Sequence, residues 1–477
     1  MLQPETVQSP DAVTASGITS ALCRFVEDVT YGDFPPGAVR VARRCVLDGL
    51  GLFVAGSDEA SVVCLADEAA AIGGRPDALL LGRGDVKVPA PGAARVLGTA
   101  GHAHDWDDTQ VSKDPRHIYG LLTHPTVPAL ASALAVVQML DKTSGRDFLT
   151  AFLTGYEVEC KVSEWMLPQH YKRGFHSSGT VGTFAACAAT AKLLGLKGET
   201  LRHAVGIAAS MASGIRVNFG TMTKPLHVGR ACENGVTAAL LAARGFTADP
   251  EALDGPWGFF QVFGGGVSPE KIGQGFGDTF SIVDPGVSIK PYPSGILTHQ
   301  SMDAMLKLVT DHDVKPEQIE RIDFFAGSNI LNPIRYPKAA NHLQAKFSMA
   351  ALLAMIALRR RAGREEFVDE FVGAPAMQDM QDRIATHLDP QIEAQGTDLI
   401  RSRIELTTRD GRRLVQEADV RYRGGPDNPM TDRDLEAKVE AATGELLDDG
   451  RRRALFDLAW SVESLDDARV LARAIQP

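Results

Sequence analysis

Apolar residues recur at three- and four-residue spacing through most of the first 260 positions. The spacing predicts helices over 17–29, 36–54, 61–72, 91–108, 125–140, 145–161, 179–194, 201–213 and 228–243. Gly195 and Gly245 each follow the last apolar positions of a pattern, where a C-terminal cap is expected. The 179–194 segment is built largely of Ala, Gly, Thr and Cys. Small side chains on every face let neighbours approach closely, so it reads as a central buried helix. Almost no strand signal precedes residue 260. After the glycines at 264–266 the pattern changes. Residues 280–290 carry β-branched side chains and lead into Pro-Tyr-Pro, which predicts a strand ending at Lys290. Ile319 to Phe325 alternates, and 403–420 reads as a hairpin turning at Asp410-Gly411. Helical patterns at 296–310 and 345–358 lie between these strands. Thr431 has an acidic residue three positions on, a start signal for the closing helices. The expected architecture is a large all-α helical domain (1–266), completed by C-terminal helices (427–477), and a smaller α+β domain (267–426). The first fifteen residues read as a loose tail.

The chain has 477 residues, 44% hydrophobic and 23% charged, an ordinary globular composition that excludes a mostly disordered chain or a fibre. Its longest apolar run, Met349 to Leu358, is about half of what a bilayer span needs, so no membrane partner is expected. The net charge of −11 is unfavourable for general nucleic-acid binding, which depends on neutralising phosphates. A small anionic substrate stays open, since a pocket's local field can oppose the global charge. The six cysteines form no C-x-x-C pair, so neither a zinc ribbon nor an iron–sulfur cluster is signalled. The N-terminus lacks a basic-then-apolar signal pattern and N-x-S/T is absent; the expectation is a cytoplasmic protein with reduced thiols. Gly273, Gly275 and Gly277 lack the strand–turn–helix context of a dinucleotide fingerprint.

Polar residues cluster at five places. His102-Ala-His104-Asp105-Trp-Asp107-Asp108-Thr109 terminates the 91–108 pattern, which would pair Asp105 with Thr109 and His104 with Asp108 at i,i+4. Carboxylates at a helix C-terminus oppose its dipole, so three in four residues call for a compensating partner; otherwise the segment is a solvated helix end. His124 precedes Pro125 at a helix start, where a neutral imidazole is favoured. A general base needs that form, although an ordinary capping histidine would look the same. Phe175-His176-Ser177-Ser178-Gly179 opens the small-residue helix, either as an anion-facing turn or as a plain cap. Lys224, His227 and Arg230 enter a helix at its N-terminal end, where cations are disfavoured, a conflict of the kind expected at a site. Lys290 precedes Pro291-Tyr292-Pro293 and could equally be a surface lysine before a turn.

Taken in order, HAHDWDDT (102–109), HPT (124–126), GYEVECKV (155–162), the 174–196 and 223–247 runs, KPYP (290–293) and QAKFS (344–348) resemble the MmgE/PrpD family. That family includes 2-methylcitrate dehydratase, cis-aconitate decarboxylase and iminodisuccinate epimerase. The resemblance implies a helical domain plus a smaller α+β domain in a homodimer, an active site between them, and no metal or organic cofactor. Carried over residue by residue, it implies catalytic roles for Asp105, Thr109, His124, His176, Lys224 and Lys290, with His104, Asp108, His227, Arg230 and Tyr292 as substrate contacts. Lys224 and Lys290 would hold substrate carboxylates, His124 or His176 would move the proton, Asp105 would orient an imidazole or act as second acid or base, and Thr109 would bond a substrate oxygen. Two departures stand out. The Gln110–Thr123 stretch is long and carries Lys113, Arg116, His117 and Tyr119, and Ser294 follows KPYP where many relatives have Cys. The implied activity is a cofactor-independent lyase on a small di- or tricarboxylate, a dehydratase first. A decarboxylase or epimerase comes second, and a non-catalytic carboxylate binder third.

Overall fold

The computed structural model describes residues 17–111, 122–268, 275–396 and 400–477. The N-terminal tail and most of the 110–123 stretch, including Lys113, Arg116, His117 and Tyr119, lie outside these. The molecule is mostly helical with a small mixed sheet. Gly182–Leu194 is enclosed by Thr126–Val137, Gly145–Trp165 and Thr223–Ala242, as its small side chains allow. Gly195 closes it in the left-handed conformation, φ 65°.

The crossing that matters most for chemistry is between Ala90–Ala103 and Thr223–Ala242. It is close. A Cβ at Gly229 would lie 2.5 Å from the Arg95 carbonyl, and one at Gly98 would lie 2.5 Å from Cys232 Sγ. Two glycines therefore set how near these helices come.

Pro36–Gly56 packs against Ala90–Ala103 and also against the C-terminal helices Asp432–Thr443 and Asp449–Trp460. Leu435, Val439 and Leu455 share one apolar core with Leu47, Leu50 and Phe53. A second core forms around the four-stranded sheet. Its order is Ile384–Leu388, Ile319–Ala326, Ser402–Thr408, Arg413–Glu417. The first pair is parallel and the other two antiparallel. Ser402–Thr408 alternates buried and half-buried positions, as a strand with one covered face must. His299–Asp311 and Met349–Arg359 provide the cover. Among the described residues no single helix is long and apolar enough to cross a membrane.

Three sequence expectations are corrected. The 91–108 helix stops at Ala103, because Asp105 takes a left-handed backbone (φ 54°) that no helix continues through. Neither Asp105/Thr109 nor His104/Asp108 is therefore an i,i+4 pair. The predicted 280–290 strand is a run of turns with one isolated bridge, Ser288 to Thr109. Its β-branched residues enter the helical core as single anchors such as Ile282 and Ile289 instead of pairing. A two-stranded ribbon, Ala78–Leu79 with Lys87–Val88, occurs in the region expected to be wholly helical.

Candidate active site

After Ala103 the chain reverses, and three buried lysines from distant segments hold the reversal by its carbonyls. Lys346 donates to Ala103 O at 2.8 Å, Lys290 to Asp105 O at 3.0 Å and Lys438 to Trp106 O at 2.9 Å. Aspartate tolerates the left-handed conformation better than most residues, and the lysines fix it there. The Asp105 carboxylate is thereby turned inward. Its Oδ1 accepts from Lys290 Nζ at 2.8 Å and faces Lys224 Nζ at 3.1 Å, and Lys290 is wholly buried. Burial by itself would raise the Asp105 pKa, but the two ammonium groups hold it well below the usual carboxylate range. Its Oδ2 is buried with no hydrogen-bond partner among the described residues.

Asp105, His124, His176, Lys224 and Lys290 line one cavity. Thr223–Ala242 begins one residue before Lys224, so its dipole disfavours the ammonium. Asp105 offsets that charge, and the rings of Phe219 and Phe347 flank Lys224 Nζ at 5.3 and 5.4 Å. Burial still lowers the Lys224 pKa, with Asp105 opposing and Lys290 assisting.

Adjacent carboxylates have opposite fates. Asp107 faces His102 Nδ1 at 2.8 Å and His124 Nδ1 at 3.5 Å. Burial would raise its pKa, but these imidazoles hold it below the usual range. Asp108 instead accepts from Thr126 N at 3.2 Å and pairs with the Thr126 hydroxyl at 2.8 Å, at the start of Thr126–Val137. Burial, with Asp107 and Asp48 nearby, pushes its pKa up to about 8.

The His124 ring is oriented by its surroundings. Nδ1 donates to the Asp108 carbonyl at 2.7 Å, and the Thr109 hydroxyl lies 3.1 Å from the same nitrogen. A carbonyl can only accept, so Nδ1 carries the hydrogen and Nε2 keeps the lone pair. Burial holds the His124 pKa well below 6.5, with Lys290, His102 and Lys224 adding to the effect against Asp107. His176 is shifted the same way by burial and then Lys224; its Nδ1 meets His227 Nδ1 at 3.1 Å.

The remaining predicted contacts point elsewhere. Thr109 is buried against His124 and pairs its backbone with Ser288, so its hydroxyl orients an imidazole rather than a substrate oxygen. His104 is buried, donates from Nε2 to Ala55 O at 2.9 Å and faces Glu59. Asp108 is turned to Thr126. His227 supports His176 from behind. Arg230, six residues past Lys224, is exposed and pairs with Glu233. The Tyr292 hydroxyl donates to Asp303 at 2.7 Å, outside the cavity. Ser294 is buried against Thr298 at 3.0 Å.

Sequence reasoning missed His102 and Asp107 as site residues, and the apolar wall altogether. That wall is Ile296, Leu297, Ile334 and Phe347, joined by Phe219 and Tyr171. Ordinary apolar residues carry no chemical signature; only Phe347, inside QAKFS, lay in a quoted motif.

His102, His124 and His176 have ring nitrogens within 4.8 Å of one another, close enough to suggest a metal site. The donor set does not fit one. Both His102 nitrogens are engaged, by Asp107 and by Lys224 Nζ at 2.7 Å, and the neighbouring Asp105 carboxylate is already paired with two ammonium groups.

Two family models match the chain: the MmgE/PrpD N-terminal domain over residues 20–271 and the MmgE/PrpD C-terminal domain over 292–462. Among curated proteins, cis-aconitate decarboxylase of Mus musculus is 26% identical over 470 residues, covering 96% of this chain and 93% of that protein. The Homo sapiens enzyme of the same name is 25% identical over 467 residues, covering 96% and 94%. That of Aspergillus terreus is 24% identical over 504 residues, covering 97% and 96%. With both domains matched in order and relatives aligned over nearly their whole length, the chain belongs to the MmgE/PrpD family.

Proposed function

We propose that the chain is a lyase for a small di- or tricarboxylate, working by proton abstraction next to a carboxylate. The observation that carries this reading is the wall on which a neutral imidazole, His124 with Nε2 unprotonated, stands beside Lys224 and Lys290, two ammoniums that share the single carboxylate Asp105. An anionic ligand in the cavity would meet two ammonium groups already fixed in place by Asp105. Removing a proton α to a carboxylate makes an enediolate, and fixed cations lower that barrier because they act where negative charge develops. His124 takes the proton. Lys224, its pKa lowered by burial, gives a proton to the β-hydroxyl, which then leaves as water. Loss of water from the β-position completes a dehydration. A second reading is decarboxylation, supported by the names of the relatives. It uses the same cations differently: the C–CO2 bond breaks with its electron pair left on carbon, the cations stabilise that carbanion, and a proton is returned to it as carbon dioxide departs.

The purified protein should be offered 2-methylcitrate, citrate and cis-aconitate while enoate absorbance, carbon dioxide release and optical rotation are followed. Dehydration yields an unsaturated acid without gas. Gas release would move the reading to decarboxylation, and a change in rotation alone to epimerisation. Thermal stabilisation by these acids with no turnover would overturn the enzymatic reading.

A further inference from the structure

His102 is wholly buried at the end of Ala90–Ala103 and does not line the cavity, yet both of its nitrogens are committed. Nδ1 lies 2.9 and 2.8 Å from the two Asp107 oxygens. An ionised carboxylate only accepts, so Nδ1 carries the hydrogen and Nε2 is a bare lone pair. That lone pair meets Lys224 Nζ at 2.7 Å. An ammonium has three N–H bonds. One goes to His102 Nε2 and one to Asp105 Oδ1 at 3.1 Å. The flanking Phe219 and Phe347 rings attract the charge without fixing its rotation. The third N–H is left for the cavity, which Lys224 lines.

We propose that the His102–Asp107 pair is a positioning device for Lys224: Asp107 fixes the His102 tautomer, and His102 then locks the ammonium so that one N–H is aimed at the substrate. The inference rests on the reading of Lys224 as the substrate-facing cation. It explains why a buried histidine that does not line the cavity stands directly behind a lysine that does. The two residues lie on the helices that cross closely at Gly98 and Gly229, and their side chains meet at 2.7 Å.

The test compares acceptors of different reach, using whichever substrate of the panel above is turned over. A glutamine amide oxygen falls near the position of Nε2, whereas asparagine stops short and leucine offers nothing. His102→Leu and His102→Asn are expected to lose about tenfold or more in kcat, with a smaller change in KM. Both should move the alkaline limb of the kcat/KM profile to lower pH, because the buried ammonium loses an acceptor. His102→Gln is expected to recover most of kcat and to return the limb. Circular dichroism confirms that each variant is folded; if His102→Leu does not fold, the Gln and Asn pair decides, being equally polar. Equal activity of Leu, Asn and wild type overturns the proposal, as does equal impairment of Gln and Asn with an unmoved limb. Lys224→Ala separates the two levels. Full activity in that variant sinks the reading of the site, whereas its inactivity beside a wild-type-like His102→Leu sinks only the positioning role. Nitrogen-15 spectra of histidine-labelled protein read the tautomer without turnover: a His102 resonance lost in His102→Gln and bearing its proton on Nδ1 supports the lock, and a proton on Nε2 overturns it.

Discussion

The two walls of the cavity are built on opposite principles. One comes from the helical region and carries Asp105, His124, His176 and Lys224, with Lys290 reaching in beside them. Each of these groups is held by another charged or polar group, and the network extends inward to His102, Asp107 and Lys346. The apolar wall, Ile296, Leu297 and Ile334, with Phe347 extending to Lys224, belongs to the apolar core around the sheet. The difference assigns labour. Charges that must act on a transition state are fixed in advance where reorganisation is cheapest, deep in a rigid helical core. The apolar wall gives shape and keeps water away, which strengthens the electrostatics of the polar wall. Substitutions on the polar wall should therefore act on kcat, and those on the apolar wall on KM.

The strongest way to break that division is Lys290→Met. It preserves length and removes the charge that anchors both the carbonyl and the carboxylate of Asp105. Turnover is expected to fall by about 10³-fold, the effect of losing a fixed cation together with the geometry it imposes. A loss below tenfold in steady-state kinetics would show that the polar wall does not act as a unit. Next comes His124→Gln, expected to cost about 10²-fold in kcat through loss of the base. In the wild type the acid limb of kcat/KM should lie well below pH 6.5, since burial depresses the His124 pKa and the ring stays neutral until more acid conditions. An acid limb at or above 6.5 would assign the base elsewhere.

On the apolar wall, Ile334→Val removes one methylene from a buried side chain. The expected result is a KM raised by about tenfold with kcat within about threefold, and a loss of roughly 0.5–1.5 kcal/mol in denaturant unfolding. If kcat fell as far as in His124→Gln, the two walls would not be functionally distinct.

How much of this was readable in the chain follows the same division. The polar wall announced itself through local conflict: a lysine in the first turn of a helix, carboxylates crowded after another helix, a histidine before proline. What the pattern could not give was direction. One left-handed residue, Asp105, turns the chain so that Asp105 faces the cavity while His104 and Asp108 face Ala55 and Thr126. A helix continued to 108 would have aimed them otherwise. Arg230 and Tyr292 sat in the right motifs, yet one falls on the exposed side of its helix and the other beyond a proline that redirects the chain. The sheet strands at 319–325 and 403–417 were legible because alternation is enforced by a single covered face. Residues 280–290 had strand composition but only one bridging partner, so composition misled there.

The smallest expected effect tests whether polarity or charge defines the polar wall. Asp107 and Asp108 are neighbours and both are buried, but only Asp107 is ionised at neutral pH; burial, then Asp107 and Asp48, lift Asp108 to about 8. A neutral carboxyl is close in shape and hydrogen bonding to an amide, so Asp108→Asn should leave kcat/KM at pH 7 within about twofold of the wild type. The stability consequence has a definite sign. The folded pKa of Asp108 lies above its ordinary value of 3.8, so the unfolded chain ionises first. The group's contribution is full below about pH 3.8 and is lost as pH rises through about 8. Replacing it by asparagine removes this loss, and melting temperatures followed from pH 6 to 9 should fall less steeply in the variant. A variant that melts more steeply with rising pH, or loses turnover at pH 7 as Lys290→Met does, would show that Asp108 is charged after all and belongs with Asp105 and Asp107.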